Sequence, residues 1–177
     1  MNRVPFLVVA LSCWTLAGCG SDTAKDTATA TGDAAIQPQE GNWPMVTATW
    51  VNDGCNAEEG LQPPSSVSFS NVDATSFSLN LYDTKGVQIG DGNSTCESVG
   101  GNTYDCVGFT QTLAYTKNGI IHMTGVDTIT LASETEASGN AQLISECLGT
   151  DCPFMALETN TGSFPCETGL SWTAAAE

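Results

Sequence analysis

Ser76-Phe77-Ser78-Leu79-Asn80-Leu81-Tyr82 carries an apolar residue at every second position, with polar residues between. Successive side chains of a strand point to opposite faces, so this period of two puts Phe77, Leu79 and Leu81 on one buried face. Phe109-Thr110-Gln111-Thr112-Leu113-Ala114-Tyr115 repeats the pattern, with Phe109, Leu113 and Tyr115 sharing a side. The longest run is Ile120 to Leu131, where Ile121, Met123, Ile129 and Leu131 line one face. Gly125 and Asp127 fall on that same face and interrupt it, which predicts a bend or bulge there. Val46-Thr47-Ala48-Thr49-Trp50, Val67-Ser68-Phe69 and Leu170-Ser171-Trp172 give shorter matches. No stretch past Cys19 holds a helical apolar period for three turns.

The residues between these runs predict hairpins. Asp83-Thr84-Lys85-Gly86 suits a type I turn with Gly at its last position. Lys117-Asn118-Gly119 carries the Asn-Gly pair that favours a type I′ turn. Gly100-Gly101-Asn102 lies midway between Cys96 and Cys106, and folding the chain about Gly101 sets the two cysteines opposite each other. A cross-strand Cys96–Cys106 disulfide is therefore expected. Cys147 and Cys152 can close a tight loop, leaving Cys55 with Cys166 to tie the domain's ends; Cys152 with Cys166 is an equal alternative.

Successive hairpins of about eight to nine strands describe an all-β domain, a single antiparallel meander. Closing it into a small β-barrel removes exposed edges, and the long central strands favour a barrel over the alternative, a β-sandwich. A small barrel encloses side chains or one small ligand. The layout resembles a lipocalin-type barrel as architecture, and Gly41-Asn42-Trp43 is similar to the G-x-W opening of that family. No binding residues carry over from so short a motif. Trp43, Trp50 and Trp172 lie near the two ends of the domain and are expected to pack where the first and last strands meet.

The amino-terminal residues read differently. Arg3 precedes an apolar run from Val4 to Leu16, too short for the roughly 20 residues of a spanning helix and suited to a secretory signal. Leu16-Ala17-Gly18-Cys19 follows, and it resembles the lipobox of bacterial lipoproteins at all four positions. The resemblance implies cleavage between Gly18 and Cys19, acylation of Cys19, and a membrane partner reached through that lipid. Gly20 in place of Asp implies sorting to the outer membrane by the enteric pattern. Ser21 to about Glu40 is Ser, Asp, Thr, Ala and Gly with almost nothing large, and cannot offset chain entropy by burial. The expected division is a signal at 1–18, a lipidated amino terminus and disordered tether at 19–41, and a disulfide-stapled β-domain at 42–177.

The whole chain carries 4 Lys and Arg against 20 Asp and Glu, a formal net charge of −16. Arg3 is the sole arginine, and Lys25, Lys85 and Lys117 are the only lysines. Nucleic-acid binding needs clustered Lys and Arg, so it is excluded as an expectation, as is electrostatic docking to anionic lipid. The acids form no calcium loop of the D-x-[DN]-x-[DN]-G kind; Asp53, Glu58 and Glu59, and Asp91 with Asn93, read as acidic loops. With Cys13 in the signal and Cys19 acylated, six cysteines remain, none in C-x₂-C pairs, which suggests three disulfides in an oxidising compartment rather than zinc. No cofactor is implied.

Catalysis is not expected. His122 is the only histidine, and it is opposite in phase to Ile121 and Met123, so it faces outward. There is no G-x-S-x-G elbow. The first expectation is a lipid-anchored cell-envelope β-domain that binds a partner or serves a structural role. A carrier of a small apolar ligand is the alternative, and a hydrolase using paired carboxylates a second one.

Overall fold

The computed structural model describes residues 35–177. Gly18 and Cys19, and with them the signal, the lipobox and most of the expected tether, lie outside the described residues, as does the Tyr115 side chain. Eight strands follow one another as β1 (Gly41–Val51), β2 (Ser66–Ser70), β3 (Ser76–Tyr82), β4 (Gln88–Gly100), β5 (Thr103–Thr116), β6 (Gly119–Ser133), β7 (Glu136–Gly149) and β8 (Cys166–Ala175). Each pairs antiparallel with the next, and β1 pairs with β8, so the meander closes into a small barrel without free edges. Two short helices, α1 (Ala57–Gly60) and α2 (Cys152–Glu158), sit in the β1–β2 and β7–β8 connections. At four and seven residues they are too short for a three-turn apolar period to reveal them.

β3 occupies Ser76–Tyr82, with Phe77 and Leu79 buried as the alternation requires. β6 places Ile121, Met123, Ile129 and Leu131 inward. The expected bulge at Gly125 and Asp127 is absent from β6: its register with β7 is unbroken from Gly119 to Leu131. The irregularity lies in the partner strand, where Cys106 to Phe109 spans what Asp127 to Gly125 spans on β6. Gly108, at φ +98°, makes this detour at no steric cost. A second irregularity, between Met45 and Thr47 of β1, switches the inward phase from Trp43 and Met45 to Ala48 and Trp50 and leaves Val46 exposed. The expected grouping of Val46 with Trp50 is thereby corrected.

The Asp83–Gly86 turn closes as expected, with Gly86 N donating to Asp83 O at 3.0 Å. Its Asp83 carboxylate accepts from Lys85 N and Val87 N, both at 2.8 Å. The β4–β5 turn falls at Gly101-Asn102, and Cys96 lies directly opposite Cys106. The β5–β6 hairpin also forms, but its turn residues are Lys117 and Asn118, and neither has positive φ, so it is not type I′. Gly119 is instead the first residue of β6, where Met155 of α2 fills the space a Cβ would need.

The strand order defines two ends of the barrel. One holds the short turns 71–75, 101–102 and 134–135; the other holds the connections 52–65, 83–87, 117–118 and 150–165. The first end is solid. Trp43, Phe69, Phe77 and Tyr104 stack in series with ring centroids 4.5, 5.4 and 4.7 Å apart. Ile129, Leu131, Leu170 and Trp172 complete this cluster. Residues 35–40, expected to belong to the tether, close it from outside. Tyr104 Oη donates to Ile36 O, Ile36 N to the Asn102 side chain at 3.2 Å, and Gln39 N to Glu134 O at 2.8 Å. Ala35 and Ile36 pack against the same cluster, which gives this stretch the apolar contact its composition understates.

Candidate functional site

The other half of the barrel is hollow. A cavity of about 220 Å³ lies above the aromatic cluster, walled by Leu79, Leu81, Phe109, Leu113, Met123, Leu143 and Leu170. A second, of about 280 Å³, lies toward the mouth between the α1 loop and the segment 158–164. The two share Leu61, Leu113 and Met123. The cause of the space is local. Leu79 faces Ser94 and Leu81 faces Ile89, so the Gly90-Asp91-Gly92-Asn93 stretch of β4 loops outward. From that strand the wall therefore receives just Ile89 and the small Ser94, and from β7 the small Ala141 beside Leu143. The closed half has Phe77, Ile129 and Trp172 where this half has little.

The mouth is fixed by covalent and polar ties. Cys55–Cys166 joins the α1 loop to the start of β8, and Cys147–Cys152 joins the end of β7 to α2. The Cys152–Cys166 pairing is not formed; Cys96–Cys106 is buried in the closed half. Asp53 organises the α1 loop, accepting from Ala57 N at 2.7 Å, Glu58 N at 2.9 Å and Thr168 Oγ1 at 2.8 Å. Burial pushes its carboxyl up, but the amides of Glu58 and Ala57 and the Thr168 hydroxyl together hold it below the usual range. Glu59 accepts from Asn160 Nδ2 at 2.9 Å, linking the two mouth segments. Trp50 Nε1 donates to Leu61 O at 3.0 Å and holds the covering loop over the first cavity. Trp172 and Trp50 lie where β1 meets β8, opposite Ala48 and Leu170, and Trp50 is also cavity wall, whereas Trp43 sits in the part of β1 that pairs with β2 and packs on Phe69.

One ionisable side chain lines the first cavity. Asp127 points inward from β6, buried, with Trp172 Nε1 donating to its Oδ2 at 3.0 Å. Its Oδ1 is buried with no hydrogen-bond partner. Burial pushes the carboxyl up to about 7; the Trp172 bond, and more weakly the amides of Asn140 and Thr128, favour the charged form without offsetting that cost. The sequence flagged Asp127 as an interruption of an apolar face, and the sharper signal was a charged residue at an inward position.

The remaining candidates stay outside the cavities. His122 faces outward beside Thr112, its Nδ1 3.3 Å from Thr112 Oγ1. Asp91 and Asn93 are exposed on the β4 detour. Among the described residues no group of three or more His, Cys, Asp or Glu could hold a metal ion, and no helix is long and apolar enough to cross a membrane. The chain matches no protein-family model, no curated protein and no solved structure.

Proposed function

We propose that this protein binds a small, largely apolar molecule in the hollow half of the barrel, as a non-catalytic binding domain held at the cell envelope through lipid on Cys19. The observation that carries the binding part is the division of one interior into a solid half and an open one. Protein interiors pack to crystal-like density, and an unfilled apolar space forgoes the contacts that would line it. An apolar cavity of about 150 Å³ is large enough to take benzene, so about 220 Å³ accommodates a ligand body somewhat larger than one ring. Two disulfides hold the loops around the opening rather than collapsing them into it. A purely structural barrel has no use for this arrangement.

Calorimetric titration with n-octanol and with naphthalene tests the reading. Saturable binding of one molecule per barrel is expected, together with a change in Trp50 emission, since that indole is part of the wall. Ala141→Phe fills the cavity and should remove both signals, and Ser94→Leu gives a milder filling. Absence of saturable binding, or binding that survives both variants, overturns the reading. The anchor rests on the lipobox residues, and Cys19→Ala should abolish palmitate labelling and move the protein from the membrane to the soluble fraction. Labelling that persists in that variant refutes the anchor and leaves the cavity reading untouched.

A further inference from the structure

We propose that the molecule taken by the barrel is a single-chain lipid with an uncharged hydroxyl head, its tail running through both chambers to the level of Asp127 and its head held at the mouth. The proposal rests on the cavity reading and adds the length, orientation and head group of the ligand. Strand register makes the two chambers successive levels of one interior. Asp127, Ala141 and Leu170 lie side by side across β6, β7 and β8, and all three line the inner chamber. Met123, Ser145 and Cys166 lie side by side four positions nearer the mouth, and all three line the outer one. Leu61, Leu113 and Met123 belong to both linings, so the boundary between the levels is made of aliphatic side chains, with Met123 the most adaptable of them.

The length of the ligand follows from the strands. Inward positions of β6 run Asp127, Gly125, Met123 and Ile121 toward the mouth. At about 3.3 Å per residue and a tilt of about 40°, the stretch from Asp127 to Met123 covers roughly 10 Å of barrel axis, and that from Asp127 to Ile121 roughly 15 Å. Carbon–carbon bonds of about 1.5 Å carry an extended chain forward about 1.3 Å per carbon, so the inner chamber takes about eight carbons and the two together about twelve. The linings set the orientation. Leu79, Leu81, Phe109 and Leu143 surround the inner chamber, and Asp127 there draws no head group inward, because Trp172 takes its Oδ2 and its Oδ1 is buried. The outer chamber adds Asn56, Glu59, Asn160 and Thr161, groups that exchange hydrogen bonds with hydroxyls. Among the described residues no lysine or arginine lines either chamber, so a fatty-acid carboxylate would meet Glu59 and Glu158 without a counter-charge. Both glutamates are exposed, so a cationic head gains little from them.

The test is a chain-length series, n-octanol, n-decanol, n-dodecanol and n-tetradecanol, titrated into the full chain at neutral pH and followed by Trp50 emission, with laurate as the anion matched in length to dodecanol. A fully buried methylene is worth about fourfold in affinity, so dodecanol should bind at least about tenfold more tightly than octanol. Tetradecanol should add little, because its last carbons have no chamber left to enter. Laurate should bind at least about tenfold more weakly than dodecanol. Ser145→Leu fills the outer level and should remove the gain from octanol to dodecanol. Affinity that levels off at octanol overturns the two-chamber lipid and leaves the cavity reading standing, whereas no binding of octanol removes both. Laurate binding as tightly as dodecanol overturns the uncharged head. A gain that survives in a folded Ser145→Leu variant refutes the outer chamber's part, and the series on the unaltered protein decides the matter even where that variant does not fold.

Discussion

Trp172 and Asp127 constrain each other, and the pair gives the molecule its sharpest pH dependence. The carboxyl has an ordinary value of 3.8 and rises to about 7 in the fold because it is buried. Between those values the folded state holds a proton that the unfolded chain has released, so raising the pH lowers stability across this window. The penalty is absent below about pH 4 and complete above about pH 7, where it amounts to at most about 4 kcal/mol. Cys106, Ala141 and Trp172, which face Asp127 from β5, β7 and β8, are not titratable in the fold. Denaturant titrations at pH 4 and pH 8 should therefore show Asp127→Asn gaining stability relative to the unaltered protein as pH rises; parallel profiles would remove the assignment. Asp53, Asp73 and Asp83 act in the opposite sense, since their carboxyls are lowered and their contribution is lost as the solution becomes acid. Gly139 shows a different constraint, because an added Cβ would enter the Trp172 indole. Gly139→Ala should cost about 1–3 kcal/mol through overpacking, measured as a lower denaturation midpoint, and a neutral result would mean the indole has room to move.

At the scale of elements, the three disulfides separate by the length of chain they close. Cys55–Cys166 spans 111 residues and Cys147–Cys152 spans 5. Chain-entropy reasoning gives the first roughly 4–5 kcal/mol and the second about 2. Replacing each pair by serine should lower stability in that ratio in guanidinium titrations, and equal losses would show that local strain or unfolded-state structure outweighs loop length. The strands themselves were legible because the barrel buries one face of each, and a period of two in Phe77, Leu79 and Leu81 records that directly. The Cys96–Cys106 opposition was legible because the turn lies only a few residues away, although the two-residue turn at Gly101-Asn102 reaches that register through an irregularity between Ser98 and Gly100. Other features left no local trace. The phase switch in β1 depends on a bulge set by pairing with β8, more than a hundred residues away in sequence. Helix α2 is about two turns long, pinned by Cys152 and Met155, with nothing in its period to distinguish it from loop. The cavity is hardest to foresee, since it is a sum over Ser94, Ala141 and the outward loop at 90–93, each unremarked alone. Asp127 was visible as an interruption, but which partner it faced was not.

For the whole molecule, the contrast between a solid end and a hollow one should appear as a gradient of local stability. Amides of β3, β6 and β8 beside the aromatic cluster are expected to exchange with solvent only on global unfolding, while those of 52–65 and 150–165 open more readily. Hydrogen exchange resolved by residue measures this, and uniform protection would mean the mouth is as rigid as the floor. Adding n-octanol should then slow exchange chiefly at the mouth. The segment 35–40 and the last residues of β8 have a consequence of another kind. Ala35 and Ala176 pack against the same cluster, and Ala176 N donates to Thr135 O at 2.9 Å, so both ends of the described chain meet at the solid end. With β1 already paired to β8, the order of strands has no privileged starting point: it is a ring cut once. Splicing residue 177 to residue 35 through a few glycines and reopening the chain between Lys85 and Gly86 should give a circular permutant with the same eight neighbours and the same chamber. In such a molecule a lipid attached at the new terminus would hold the barrel by its mouth, whereas the proposed lipid on Cys19 would precede the segment that packs at its base.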